Sequence, residues 1–371
     1  MLKVAVDIRD LEIAKTGTLT FMEGLISAFG QTNDEVEFVY FKPSNKPYTG
    51  NHPIFKIVEH INFFLWKQVV LPYKAYRNKC DIVFCSDFFV PYFHFGYKTV
   101  VVFHDAFFAE YPTHYNKYWL LLFKYIGLPA ARRASYVVTP TAYAKKTVNE
   151  FYQIHLSNIV VIGEAGKEIN SNLKDNEAIV INNKRFTSPF ALHVGTFEKR
   201  KNLPALIEAI SKLEQHGAEN LHLVLVGKSS NKVTLDDTEL ILETIKKLNV
   251  QDRVHLVGFA DSEKLALFYG KAMMYVFPSM NEGFGIPILE AFQFNVPVLV
   301  ANNTCLPEVA GDAAICFDPF NSNAIADAIT RVYQDPVLRN TLITNGQKRL
   351  KDYSWKITAD RLIQLFKNNI N

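Results

Sequence analysis

Short apolar runs alternate with amphipathic stretches along the whole chain. Runs at Leu2–Val6, Val36–Tyr40, Ile82–Cys85, Thr99–Phe103, Tyr136–Val138 and Ile159–Val161 predict one series of strands. Phe190–Val194, Leu221–Val226, Val254–Leu256, Met274–Phe277 and Pro297–Val300 predict a second. Near-continuous apolar runs of this length suit strands buried on both faces. Between them, Leu19–Phe29, Leu203–Leu213 and Thr238–Leu248 carry apolar residues at helical spacing. Strands alternating with helices predict βαβ units and an α/β fold with parallel sheets.

The alternation breaks once, in a polar stretch over 164–188 rich in Asn and Lys. It predicts an N-terminal domain over 1–168, a linker over 169–188 and a C-terminal domain over 189–350. The remainder, 351–371, has Ile357, Leu362, Ile363 and Phe366 among charges and predicts a terminal amphipathic helix. A single eight-stranded barrel is the alternative, and the linker and at least eleven strands argue against it. Open α/β sheets bind ligands beyond the C-terminal edges of their strands. The chemistry is therefore expected in a cleft between two facing domains.

Composition narrows the classes. Of 371 residues, 49% are hydrophobic and 21% charged, which fits a folded chain and excludes a disordered one. Lys and Arg number 40 against 37 Asp and Glu, a balance of +3 that gives no sign of a nucleic-acid binder. Cys80, Cys85, Cys305 and Cys316 form no C-x-x-C pair, so reduced thiols in a cytoplasmic protein are expected. The start, M-L-K-V-A-V-D, lacks the form of a signal peptide, and no window reaches ~18 apolar residues.

Two segments carry the most chemistry. In Pro278–Phe292, P-S-M-N-E-G-F-G-I-P-I-L-E-A-F, a strand runs into the turn Gly283-Phe284-Gly285 and then a helix with Pro287 near its start. Unbonded N–H groups and the dipole at that helix start favour an anion. Glu282 stands before the turn, and Glu290 is expected in the first helical turn, so that both carboxylates face one crevice. An ordinary strand–turn–helix with Glu290 against the dipole explains the spacing equally well. In Val194–Leu203, V-G-T-F-E-K-R-K-N-L, Lys199, Arg200 and Lys201 crowd a strand end where a phosphate would lie; a solvated basic face is the rival explanation.

The first domain offers weaker signals. Lys15-Thr16-Gly17-Thr18-Leu19-Thr20 joins the first strand to a helix, with Gly17 for close approach and threonine for capping. His104-Asp105 follows a strand, which points the histidine into the cleft. G-x-x-x-x-G-K-[ST], G-x-G-x-x-G and D-x-D are all missing, so basic residues and helix dipoles are expected to neutralise phosphates without a metal or cofactor.

Together these segments resemble retaining glycosyltransferases of family 4, the mannosyltransferase-like glycosyl transferases group 1. E-G-F-G-I-P-I-L-E resembles the family's E-x7-E motif, and V-G-T-F-E-K-R-K-N-L its phosphate-binding segment. V-D-I-R with T-G-T-L-T, H-D-A-F-F, V-V-T-P-T-A-Y-A-K-K and L-P-E-V-A-G-D-A-A extend the match nearly end to end. The resemblance implies a GT-B architecture: two Rossmann-like domains facing each other, with the C-terminal helix crossing back to the first. It implies that Glu282 sits beside the donor sugar, that Glu290 binds the ribose and that Arg200 and Lys201 neutralise the diphosphate. His104 would approach the donor hexose. Gly195, Thr196, Gly283, Phe284, Gly285 and Ile286 would line the sugar and phosphates, and Gly258 would lie near the base. Gly17, Thr18 and Asp105 would be on the acceptor side. Two departures stand out: Thr196 replaces an Arg common in the family, and Leu19 and Thr20 replace a glycine or basic residue.

Aromatics mix with cations in two spans. From Tyr111 to Asn149, Lys117, Lys124, Arg132, Arg133, Lys145 and Lys146 meet no acid. Phe55–Lys79 sets Lys56, Lys67, Lys74, Arg77 and Lys79 against Glu59. Such mixtures suit an anionic membrane surface; a core with an ordinary charged helix face, or RNA, would give the same composition.

The expected activity is retaining, metal-independent transfer of a hexose from a nucleoside diphosphate donor, GDP-mannose by the form of V-G-T-F-E-K-R-K-N. The acceptor is a hydroxyl of a growing, lipid-linked glycan in cell-surface polysaccharide synthesis, on the inner face of the cell membrane. The alternatives are a UDP-sugar transferase of the same fold, a sugar-nucleotide epimerase and a non-catalytic glycan-binding protein.

Overall fold

Both series of apolar runs form parallel six-stranded sheets. The computed structural model describes residues 1–368 except 15–16, 32–34, 51, 170–177, 182–183 and 231–233. The chain divides into two units, Met1–Ala165 with Ser354–Asn371, and Gly166–Tyr353.

The first unit's sheet comprises β1 (Leu2–Asp7), β2 (Val36–Phe41), β3 (Ile82–Cys85), β4 (Lys98–Val102), β5 (Tyr136–Thr139) and β6 (Ile159–Val161), in the order β2-β1-β3-β4-β5-β6. Successive side chains point to opposite faces, and both faces are covered. Ala5, Val83, Val101 and Val137 pack with Phe63, Trp66, Phe89 and Phe123 on one side. Val4, Val6, Phe84 and Val102 pack on the other with Phe21, Met22 and Leu25 of helix Gly17–Phe29. The last helix, Trp355–Asn368, joins that second layer through Leu362 and Phe366. Thr358 Oγ1 donates to the Gly163 carbonyl at 2.7 Å, fixing it beside the end of β6.

The second unit's main sheet comprises β9 (Phe190–Val194), β10 (His222–Val226), β11 (Val254–Gly258), β12 (Met274–Phe277), β13 (Val298–Ala301) and β14 (Ala314–Phe317). Its order is β11-β10-β9-β12-β13-β14. The Ala-Ile-Cys-Phe of β14 is apolar but only four residues long and half-exposed at the sheet edge, and it is absent from the predicted strands. Of the expected linker 169–188, residues 170–177 and 182–183 lie outside the described ones; the rest include β7 (Ile179–Ile181) and β8 (Lys184–Phe186), an antiparallel pair.

Strand order fixes where the chemistry collects. In the second sheet the chain runs outward from β9 to β11, returns, and runs the other way from β12 to β14. In the first it reverses between β1 and β3. Such reversals open a crevice at the C-terminal ends of the flanking strands.

Candidate active site

In the second unit, the segments after β9 and β12 meet at the reversal. β9 ends on Val194, and Gly195 donates its amide to the Val226 carbonyl at 2.9 Å. Gly227 packs so closely against the Gly195 carbonyl that no Cβ fits there, which holds the two strand ends together. A single tight turn, Lys199–Lys201, follows before helix Leu203–Lys212. That turn aims Arg200 and Lys201 at the loop after β12.

There Glu282 receives both cations on one oxygen. Lys201 Nζ lies 2.6 Å and an Arg200 terminal nitrogen 2.7 Å from its Oε1. Arg200 also bonds Glu198 Oε2 at 3.0 Å and the Asn281 carbonyl at 3.2 Å. Lys201 is 6% exposed and its ammonium sits 4.8 Å from the centre of the Phe277 ring. Burial works against ionised Glu282, but Arg200 and Lys201 outweigh it and hold its pKa down at about 2. Burial lowers the Lys201 pKa in spite of Glu282, whereas the two glutamates raise that of Arg200. Two cations and two carboxylates thus balance, so an anion can bind the cations here only by taking over bonds that Glu198 and Glu282 now hold. The sequence signals the cations; Glu198, sitting between them and Thr196, escaped notice as a partner.

The loop after β12 is tied down from behind. Cys305 Sγ donates to the carbonyls of Glu282 and Phe284 at 3.1 and 3.2 Å. Phe284 is buried, its ring edge-on to Tyr353 at 5.7 Å. Gly285 has φ +106°, a conformation open to glycine, and caps helix Ile286–Gln293 with Pro287 in its first turn. The helix therefore starts at Ile286, which places Glu290 in the second turn rather than the expected first, out of reach of the dipole end. Glu290 is buried, accepts from the Tyr269 hydroxyl at 2.9 Å, and has its pKa raised by burial. Gly258 ends β11 at φ +78°, and a Cβ there would meet nothing within 4 Å, leaving open space beside it.

His193, one residue before the end of β9, was not singled out from sequence. Its Nδ1 bonds the Val276 carbonyl at 3.0 Å and its Nε2 is buried without a partner. Burial, then Lys201, lowers its pKa to about 3, so the ring is neutral.

In the first unit, His104 follows β4 and is pinned through both ring nitrogens. Nδ1 lies 2.7 Å from Glu164 Oε1 and Nε2 3.1 Å from the Ser86 carbonyl. Burial disfavours the charged ring, yet Glu164, Asp105 and the Ser86 carbonyl together raise its pKa. Asp105 accepts from the Phe107 amide at 2.9 Å and so caps the turn behind the histidine. Gly17 and Thr18 open helix Gly17–Phe29; Lys15 and Thr16 lie outside the described residues. Glu164 and Ser86 come from segments 60 and 18 residues away from His104, a distance no local pattern reveals.

The reversal between β1 and β3 holds another buried charge cluster. Lys67 bridges Asp7 at 2.5 Å and Asp87, and Trp66 Nε1 donates to Asp7 at 3.1 Å. Lys67 is 1% exposed, which corrects its placement among the membrane-facing cations: the carboxylates at the ends of β1 and β3 draw it inward. Asp7, Cys85 and Asp87 are the one group of metal-type ligands among the described residues, and the Lys67 ammonium already compensates both carboxylates.

Comparison with known proteins adds sequence and fold relationships. Residues 174–349 match the family described as Glycosyl transferases group 1, and residues 16–164 match Glycosyltransferase Family 4. O-antigen chain mannosyltransferase B of Escherichia coli is 32% identical over 48% of this chain and 45% of its own length. A serotype-specific mannosyltransferase, WbdA of Escherichia coli, is 28% identical over 77% of this chain and 36% of its own length. The matched stretches thus span less than half of each relative. Sucrose-phosphate synthase from Thermosynechococcus elongatus superposes with a TM-score of 0.73 over 99% of both chains at 19% identity, a likeness of fold. That fold is GT-B, with two Rossmann-like sheets.

Proposed function

We propose, because this chain belongs to the glycosyltransferases of family 4 and group 1, that it transfers a hexose from a nucleoside diphosphate sugar to a hydroxyl of a growing glycan. GDP-mannose is the donor, transfer retains the anomeric configuration, and no metal takes part. The acceptor is lipid-linked, and the reaction serves cell-surface polysaccharide synthesis at the inner face of the membrane. The mannosyltransferase names of the relatives support this donor and this pathway class.

One observation carries the reading: Arg200 and Lys201 share Glu282 at the reversal between β9 and β12. The step develops negative charge on the leaving diphosphate. Preorganised cations, of which Lys201 is buried, stabilise such charge without reorganising as it forms. When the diphosphate takes up Arg200 and Lys201, Glu282 is released next to the departing group, where a carboxylate stabilises positive charge building on the sugar ring. The leaving phosphate accepts the proton of the attacking hydroxyl on the same face, which retains the configuration. Glu290 is read as the partner of the ribose hydroxyls, and the missing D-x-D is in keeping with cations of the chain itself meeting the phosphates.

A panel of nucleoside diphosphate sugars with hydroxyl acceptors, followed by mass spectrometry, tests the reading. Consumption of GDP-mannose with a hexosylated acceptor is the expected result. Consumption of a UDP-sugar alone moves the donor; an altered sugar nucleotide without acceptor indicates an epimerase; binding without consumption indicates a non-catalytic protein.

A further inference from the structure

The helical run of Pro53–Leu65, Trp66–Val70 and Leu71–Arg77 is apolar on two faces, where packing on a sheet requires one. Phe63, Trp66, Leu71 and Ala75 enter the core. Ile54, Ile57, Ile61, Leu65, Val69 and Tyr73 are all exposed and recur every three or four residues. They make one outward stripe, roughly 30 Å long at ~1.5 Å per residue. Tyr76 prolongs it beside exposed Phe95, their ring centres 6.5 Å apart. An apolar surface of this extent marks an interaction face.

The adjoining helical segments, Lys117–Leu122 and Phe123–Gly127, touch this run through Trp119, whose ring is 5.0 Å from Phe63. They expose Tyr118, Leu121 and Tyr125 at the same spacing. Lys117 and Lys124 lie over the rings of Tyr118 and Tyr125 at 5.2 and 5.7 Å. The one acid within 53–79 and 111–133, Glu59, bonds Arg9 at 2.6 Å. Arg132 and Arg133 are held by the chain itself, Arg132 on the Tyr152 carbonyl and Arg133 over the Tyr92 ring. The surface is therefore an apolar stripe with ring-backed lysines and no opposing carboxylate. No described helix is long and apolar enough to cross a membrane.

We propose that this face lies in the interfacial layer of an anionic bilayer, with the stripe of residues 54–73 entering the headgroup–acyl boundary and Lys117 and Lys124 meeting lipid phosphates. Apolar side chains supply most of the binding, and charge selects the lipid. The lack of exposed acids favours an anionic lipid surface over a protein partner of mixed charge. The proposal deepens the reading of a lipid-linked acceptor and rests on it for its purpose; the binding itself needs neither donor nor acceptor.

Co-sedimentation of the full chain with phosphatidylglycerol–phosphatidylcholine vesicles tests this. The parent is expected to bind, and to keep part of its binding in 1 M salt, where charges are screened within ~3 Å. Replacing Ile57, Ile61, Leu65 and Tyr73 together by Ser is expected to lower partitioning about a hundredfold or more. Lys117→Ser with Lys124→Ser is expected to lower it roughly tenfold, at low salt only. A Val69→Trp variant checks insertion without loss of apolar surface: its emission is expected to shift to the blue on vesicles and to be quenched by brominated lipid. Unchanged emission, complete release by salt, or equal binding of parent and stripe variant would overturn the proposal. So would a vesicle-free dimer that the stripe variant dissolves, since that assigns the face to a second copy. Turnover on a short soluble acceptor is measured alongside. Parent without turnover that still binds vesicles contradicts the transferase reading alone.

Discussion

Lys201 and Glu282 are 81 residues apart in sequence and 2.6 Å apart in space. One follows β9 and the other β12, so their meeting is a consequence of strand order. Each is buried, and each is the other's compensation for leaving water. The pair is thus both a fold contact and the centre of the proposed chemistry, and substitutions there have two measurable effects.

For catalysis, we expect Lys201→Ala and Glu282→Ala each to lower kcat/KM by ~10²–10³, the usual cost of losing one preorganised charge contact. For stability, each single change leaves a buried charge with less compensation and costs about 3–5 kcal/mol, while the double variant loses less than the sum. Steady-state rates below the melting range, with denaturant melts of all four proteins, check both. Single variants within a few-fold of the parent rate would remove the pair from the site.

Glu290→Ala separates binding from chemistry. A ribose contact is the same before and during reaction, so its loss raises the donor KM with kcat nearly unchanged. Glu290→Gln keeps the bond from Tyr269 and is expected to recover part of the affinity. An unchanged donor KM in the Ala variant would contradict the role.

Two buried groups make opposite contributions across the pH range. The Glu282 carboxyl is held at about 2 against an ordinary 4.5, so its stabilisation is present above about 4.5 and is lost as the pH falls towards about 2. His104 has its pKa raised above 6.5 through Glu164; its stabilisation is complete below about 6.5 and is lost as the pH rises through the raised value. Melting of the parent and of Glu164→Gln from pH 5 to 9 checks the second. The parent's advantage should shrink with rising pH; a constant difference would show that the ring is not charged.

If Arg200 and Lys201 meet the phosphates as proposed, chelation is expected to leave turnover intact. Activity lost in EDTA and restored by Mg²⁺ or Mn²⁺ would contradict that assignment.

Strands buried on both faces read clearly from sequence, since each is a run of apolar residues, and eleven of them appear where those runs lie. Half-exposed β14 is a short apolar run at the sheet edge and is absent from the predicted strands, and the pair β7–β8 lies in a polar stretch. At the site, E-G-F-G and K-R-K are local patterns and stood out. Partnerships did not: Glu164 with His104, Glu198 with Arg200 and Lys67 with Asp7 depend on how distant or inconspicuous residues fold together. Glu290 shows the limit of spacing alone, because the left-handed Gly285 starts the helix later than the motif suggests. The aromatic-rich helices also read ambiguously. Phe63 and Trp66 are core while Tyr73 and Tyr76 face out, and a half-turn of helix decides which.

Proton NMR of a reaction containing GDP-mannose and a glycan acceptor, with released GDP counted in the same sample, tests the central claim most directly. We expect one new hexoside per GDP, in the anomeric configuration of the donor, and neither product with Lys201→Ala. An inverted hexoside, GDP released with free mannose only, or undiminished transfer by Lys201→Ala would contradict it.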